Sequence, residues 1–269
     1  MLSILIRNKN EAGYLENTLS SIRKQELNFD CEIIFIDDHS TDNSVEIAEK
    51  YGCKVFLLDR DFSYGYALNF GISKCSFELI LFLSSHITLL TTRFLEDLVQ
   101  QFSDRNIAAV RCTPILNVRQ VMQSAKEPLL LTKENYSHSI DWENLIVANC
   151  SAVRKTVATA ILFNEEISAN EEKQWCLKVL DQGFVVKSNV PCYFLYTKKK
   201  HSNSFITDAT AKFQIDGIAT VSKSNFFLSV IKGVPWALKI AAKTYWSNIV
   251  TKYSLIKIPL SNKKGVFTK

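Results

Sequence analysis

The sequence predicts an α/β fold: a mostly parallel sheet flanked by helices, followed by a C-terminal helical extension. Three observations lead there. Short uninterrupted apolar runs alternate with stretches whose apolar residues recur three and four positions apart, as expected of a sheet covered by helices on both faces. Several apolar runs end in clusters of small polar or acidic residues, and open α/β sheets hold ligands at the carboxyl ends of their strands. Finally, 5 prolines and 8 glycines in 269 residues leave little room for long disordered linkers.

The elements follow in order. Leu2 to Ile6 is a buried strand, and Asn8-Lys9-Asn10-Glu11 is a polar turn into a helix with Ala12, Leu15, Leu19 and Ile22 on one face. Cys31 to Ile36 is a second strand, ending in Asp37-Asp38-His39-Ser40-Thr41-Asp42. Ser40 or Thr41 is placed to cap the next helix, which stops at Gly52. Lys54 to Leu58 is a third strand, Phe62 to Gly71 leads into a short helix, and Leu79 to Leu83 is a fourth strand that breaks into Ser84-Ser85-His86. Thr91 or Thr92 caps a helix with Phe94, Leu95, Leu98 and Phe102 inward.

Regularity then weakens. Ile107 to Ile115 reads as a strand, and residues 117–142, with Gln123, Lys126, Tyr136 and Trp142, read as an irregular insertion of the kind that carries function. Leu145 to Ala152 reads as a strand. Ser168 or Asn170 opens a helix bearing Glu171, Glu172 and Trp175, closed by Gly183. Short strands at Phe184–Val190 and Tyr193–Tyr196 precede Lys198-Lys199-Lys200-His201. From about Phe205 the chain turns helical. Phe226 to Val250 is rich in large apolar residues and broken at Gly233-Pro235, with Lys239 and Lys243 sharing one face.

Composition narrows the function classes. A formal charge of +5 permits an anionic substrate or an acidic membrane surface but does not demand nucleic acid. The 7 cysteines are scattered, without a Cys-x-x-Cys pair, and read as reduced core residues in the cytoplasm. The first apolar run is too short for a signal peptide, and no run reaches the ~18 apolar residues of a spanning helix.

The turn with Glu11, Asp37-Asp38-x-Ser40-x-Asp42 after a strand, Ala67-Leu68-Asn69-x-Gly71 and Glu171-Glu172-x-x-Trp175 together resemble the nucleotide-diphospho-sugar glycosyltransferases of family 2, which have the GT-A fold. The resemblance covers roughly residues 1–205. The catalytic domain is then expected over 1–220, and the pattern of 221–269 reads as an amphipathic, basic helical extension. The resemblance implies a nucleotide-diphosphate sugar donor, a glycan or lipid-linked acceptor, no nucleic-acid partner, and inversion by single displacement. Asp37 and Asp38 match the carboxylates at the nucleoside, Asn8 to Glu11 match the loop lining the same pocket, and Asn69 matches the asparagine of an Arg-Asn-x-Gly segment in which Leu68 replaces arginine.

Ser84-Ser85-His86 occupies the place of the family's Asp-x-Asp motif, which holds a divalent metal on the donor's diphosphate. Both carboxylates are gone. The resemblance then implies Mn2+ or Mg2+ held weakly at His86, with His201 as a further ligand. Imidazole in place of oxygen shifts preference from magnesium toward manganese or later metals, and leaving-group stabilisation is shared with nearby lysines. The alternative reading of the triplet is a solvated strand end. Glu172 matches the family's catalytic base, with Glu171 as the fallback, and Trp175 and Trp142 are the expected acceptor contacts. The C-terminal segment is expected at the cytosolic membrane face, or else as a lid over the sheet. The rival to an enzyme is a sugar-nucleotide binding or scaffold protein without turnover. A sugar-nucleotide pyrophosphorylase is disfavoured because no Gly-rich phosphate loop follows the first strand.

Overall fold

The structure, a computed structural model, describes residues 1–115 and 127–198, all within one compact unit, Met1–Gln214. The first half runs β1 (Leu2–Asn8), α1 (Ala12–Arg23), β2 (Cys31–Asp37), α2 (Ser44–Lys50), β3 (Lys54–Leu57), α3 (Tyr64–Lys74), β4 (Leu79–Ser84), β5 (Ile87–Leu89) and α4 (Phe94–Gln100). The second runs β6 (Ile107–Arg111), β7 (Thr113–Ile115), β8 (Leu129–Leu131), α5 (His138–Asp141), a 3-10 turn (Trp142–Asn144), β9 (Cys150–Arg154), α6 (Lys155–Ala160), α7 (Glu171–Asp181), β10 (Val185–Ser188) and β11 (Tyr193–Tyr196).

Eight strands form the main sheet in the order β3-β2-β1-β4-β9-β6-β10-β8, and β5-β11-β7 form a small second sheet. The chain steps from β1 out to β3, then returns to place β4 on the other side of β1, with parallel pairing throughout. β1 therefore lies inside the sheet, flanked on both sides, and Leu2, Ile4, Leu5 and Ile6 are buried. Strands covered on both faces lose the polar alternation of a half-exposed sheet, which is why β1, β2 and β4 are legible as apolar runs. α3 packs on β1 at Gly71, where a Cβ would come 2.5 Å from the Leu5 Cδ1.

The expectations need correction at several points. Ile107–Ile115 is two strands: after Arg111 the chain leaves the main sheet, and β7 joins β11 in the small one. The strand expected at Leu145–Ala152 begins only at Cys150, and it runs antiparallel between β4 and β6. Neither Ser40 nor Thr41 caps α2, whose preceding residue is Asn43, and α4 follows Arg93 rather than a threonine cap. β5 was not expected at all. Gly52 does end α2, in the left-handed conformation (φ 70°) that glycine adopts without cost. No helix among the described residues is long and apolar enough to cross a membrane. The proposed boundary at 220/221, the amphipathic tail, Gln123, Lys126 and His201 lie outside the described residues.

Candidate active site

Strand order reverses between β1 and β4, and a crevice opens at such a point beyond the carboxyl ends of the strands. The register sets Asn8 beside Asp37 and Arg7 beside Ser84. Three polar clusters far apart in sequence thus meet.

The floor of the crevice is a closed hydrogen-bond network. Asn8 Nδ2 donates to Asp37 Oδ1 at 3.0 Å and to Ser40 Oγ at 3.1 Å, while Asn8 Oδ1 accepts from Ser85 Oγ at 2.8 Å. Asp37 also accepts from the Ser40 N–H and hydroxyl, and the Ser85 carbonyl accepts from Thr18 Oγ1 at 2.7 Å. Asn8, Asp37 and Ser85 are buried. Buried polar groups are stable when paired in this way, so these three shape the floor instead of presenting free atoms to a donor. Ser40 is spent here and not on a helix cap. Asp42 reaches across to accept from the first N–H of α1, at Ala12, and from Ser44. Burial pushes its carboxyl up, but these donors outweigh it and hold the pKa below the usual range. On the open side stand Asp38, paired with Lys9 at 2.7 Å, and Ser84, whose Oγ is 3.3 Å from Asn149 Oδ1.

His86 stands at the rim. One ring nitrogen, Nε2, lies 2.9 Å from the Tyr196 hydroxyl. The other, Nδ1, lies 3.6 Å from Glu11 Oε2, and these two atoms are buried without a hydrogen-bond partner. Lys198 pairs with the other oxygen, Glu11 Oε1. Burial lowers the His86 pKa, Glu11 pulls it up and Lys198 pushes it down again, and the net shift is downward. A neutral imidazole and a carboxylate, both with an unused lone pair and spaced like two donors ~2.1 Å from one ion, fit a divalent cation as two of its ligands. Among the described residues no third His, Cys, Asp or Glu joins them, so phosphate oxygens and water must complete any shell.

The opposite wall is α7. Asn170, in the left-handed region (φ 60°), turns the chain into it. Glu171 is only 2 % exposed and meets Arg7 Nη1 at 3.4 Å. Burial, then the Glu172 carboxylate, push its pKa up to about 8 against the pull of Arg7. Glu172 is less buried, and its Oε1 accepts from the Ala148 N–H at 3.2 Å.

Two expected acceptor contacts are core residues instead. Trp175 is 1 % exposed, stacked on Phe163, with its Nε1 donating to the Ile161 carbonyl at 2.6 Å. Trp142 is 5 % exposed, beneath His138 and the Lys173 ammonium. Asn69 is also structural: it bonds the Phe163 N–H and carbonyl and the Glu165 carboxylate, tying α3 to the segment before α7. Leu68 is fully buried, as an apolar residue at that position should be. Arg7, Lys9 and Tyr196 were missed. Arg7 is the only charge within β1, and that was the available signal.

A doubly wound sheet with acid and imidazole groups at its switch point, and two glutamates opening the facing helix, defines a GT-A-type sugar-nucleotide fold. Residues 3–162 match the profile described as Glycosyl transferase family 2. The chain belongs to that family. It is 29% identical over 141 residues to the O-antigen chain rhamnosyltransferase RfbN of Salmonella typhimurium, covering 51% of this chain and 43% of that protein. The chain spans less than half the length of the curated relatives it matches. Among solved structures it is similar to the mannosyltransferase PcManGT from Pyrobaculum calidifontis in complex with GDP-Man and Mn2+ (TM-score 0.66, 16% identity, 98% of this chain and 81% of that one). It is also similar to S. aureus TarS 1-349 in complex with UDP-GlcNAc (TM-score 0.58, 22% identity, 75% and 59%).

Proposed function

We propose that this chain transfers a hexosyl or deoxyhexosyl group from a nucleotide-diphosphate donor to a hydroxyl of a glycan or lipid-linked acceptor, with inversion, in cell-surface polysaccharide synthesis. The observation that carries the reading is Glu172: a carboxylate with one oxygen fixed by the Ala148 N–H, on the wall facing the crevice at the β1/β4 switch point. The acceptor oxygen attacks the anomeric carbon while Glu172 takes its proton. The bond from that carbon to the diphosphate breaks, and the nucleoside diphosphate leaves with the electron pair. Asp38 accepts from the nucleoside, and Arg7, Lys9 and Lys198 bring positive charge to the crevice. A divalent ion, Mn2+ or Mg2+, held weakly by Glu11 Oε2 and His86 Nδ1, supplies Lewis-acid stabilisation of the diphosphate when bound. The segment 221–269 is proposed to contact the inner face of the membrane, where lipid-linked acceptors are presented.

The test is Glu172→Gln. Transfer should fall ~10²–10⁴-fold, with the thermal shift produced by the donor retained. Unchanged transfer removes Glu172 from the role of base. The loss of both Asp-x-Asp carboxylates favours a second reading, a sugar-nucleotide binder without turnover. It holds if a donor binds yet neither transfer nor donor hydrolysis occurs across a panel of nucleotide sugars with and without Mn2+.

A further inference from the structure

β6 runs parallel to β4, since both pair antiparallel with β9, so its last residue, Arg111, emerges at the crevice end of the sheet. Its guanidinium is partly withdrawn from water, and among the described residues it makes no hydrogen bond and no ion pair. Burial lowers its pKa, and the charges that act on it are Glu143 first, with Glu172 among the others. The next cation is Lys173, in the first turn of α7 immediately after Glu172. It is 5 % exposed, and its ammonium lies 3.2 Å from a Glu143 carboxylate that is itself 80 % exposed. Burial lowers the Lys173 pKa, Glu143 raises it and Arg111 lowers it again, so the two cations repel across this wall.

A cation held out of water is destabilising unless an anion completes it. Here the one ion-paired carboxylate faces solvent, where water screens it. The guanidinium fork matches a phosphate or carboxylate through two parallel hydrogen bonds, and an ammonium beside it adds a point charge. Glu172 acts on both cations, and Lys173 follows it directly in α7.

We propose that the acceptor carries an anionic group, a phosphate or a carboxylate, and that Arg111 with Lys173 binds it while Glu172 receives the acceptor hydroxyl. This rests on the glycosyl-transfer reading. It adds that the preferred acceptor is an acidic glycan or a sugar phosphate, not a neutral sugar.

The experiment is calorimetry on the full chain at low ionic strength with four probes: glycerol 1-phosphate and its neutral counterpart glycerol, methyl glucuronide and its neutral counterpart methyl glucoside. At least one anionic probe should bind ~10-fold or more tightly than its neutral counterpart, and whichever anion binds better names the source. Arg111→Met should abolish that preference, with Lys173→Met weakening it, while the thermal shift from a nucleoside diphosphate persists. Should Arg111→Met fail to fold, Arg111→Lys, which keeps the charge and removes the fork, must still weaken the anionic probe. Equal binding of neutral and anionic probes, or an unaltered preference in the Arg111 and Lys173 variants, overturns the proposal. So does displacement of the anionic probe by a nucleoside diphosphate, which would assign the cations to the donor. A wild-type chain that binds no sugar nucleotide sinks the glycosyl-transfer reading instead, and leaves an Arg111-dependent anion site standing.

Discussion

Glu171 and Glu172 are adjacent in sequence and opposite in circumstance. Glu171 is enclosed and faces its neighbour's charge, so it holds a proton up to about pH 8. In the unfolded chain the same carboxyl ionises near its ordinary value of 4.5. Between those values the folded state binds more protons than the unfolded one, so stability falls as pH rises through the window. Glu171→Gln keeps the shape and removes the titration. Its melting temperature relative to wild type should therefore rise from pH 5 to pH 8, by a few degrees, while below pH 4.5 it gains nothing from the lost titration. A constant offset across pH would refute this cause. At His86 the decisive feature is the pair of unpartnered atoms. If Glu11 Oε2 and His86 Nδ1 hold a divalent ion, Glu11→Gln and His86→Phe should each weaken Mn2+ binding ~10-fold or more, read by the electron spin resonance of free Mn2+ without any turnover. Equal Mn2+ affinity in all three proteins would show that the ion is not held there.

At the scale of elements, α3 explains a motif that sequence resemblance attached to the donor. Asn69 and Gly71 are packing residues, as are Ser63 and Gly65 ahead of them. Ser63 Oγ accepts from the Tyr66 N–H. Gly65 lies so close to the Asn164 carbonyl that a Cβ would overlap it, and Asn69 clasps Phe163 and Glu165. These contacts fix the 161–165 segment, which also receives the Trp175 indole N–H and so positions α7. Asn69→Ala should cost on the order of 1–3 kcal/mol, measured by urea melts, and should lower transfer more than donor binding because it loosens the base and not the crevice floor. The same element shows where sequence reading stops. β1, β2 and β4 are legible because burial on both faces makes them apolar throughout. β5, β7 and β8 are three residues long, too short for any period to register. The antiparallel sense of β9 depends on pairing between residues ~70 apart in the chain (Leu79 with Arg154), which no local pattern encodes. The Asp37-Asp38 cluster is legible as a polar strand end, but its division into a buried floor and an open rim depends on Ser40, Asn8 and Ser85 meeting across three strands.

At the scale of the whole molecule, the two ends of the main sheet carry carboxylates of opposite electrostatic character. At the amino ends of the strands Glu32 accepts from Ser3 Oγ, the Ser76 N–H and Lys54. Burial pushes its pKa up, but those donors overturn the effect and hold it at about 2. At the carboxyl ends Glu171 has the longer Arg7 contact and its own backbone N–H, and burial with the Glu172 charge outweighs them and pushes it up. Full hydrogen bonding of the carboxylate at one end, and incomplete satisfaction at the other, is the distribution expected when strain is confined to one end of a fold. The sign for Glu32 is the reverse of that for Glu171: its stabilisation is complete above pH 4.5 and is lost as pH falls toward 2. Glu32→Gln should therefore cost on the order of 2 kcal/mol at pH 7 and little near pH 2, while Glu171→Gln acts only above pH 4.5. Glu32 bonds to Ser3 and Glu171 to Arg7, four residues along β1 and so about 13 Å apart at the usual strand rise. Groups that far apart and sharing no partner contribute additively to within about 0.5 kcal/mol. The double variant should show a flattened slope between pH 2 and 4.5 and another between pH 4.5 and about 8 in one stability–pH curve, each equal to that of the corresponding single variant. Non-additivity beyond that margin would mean that the two ends of the sheet are coupled, and that the crevice cannot relax without the amino-terminal edge.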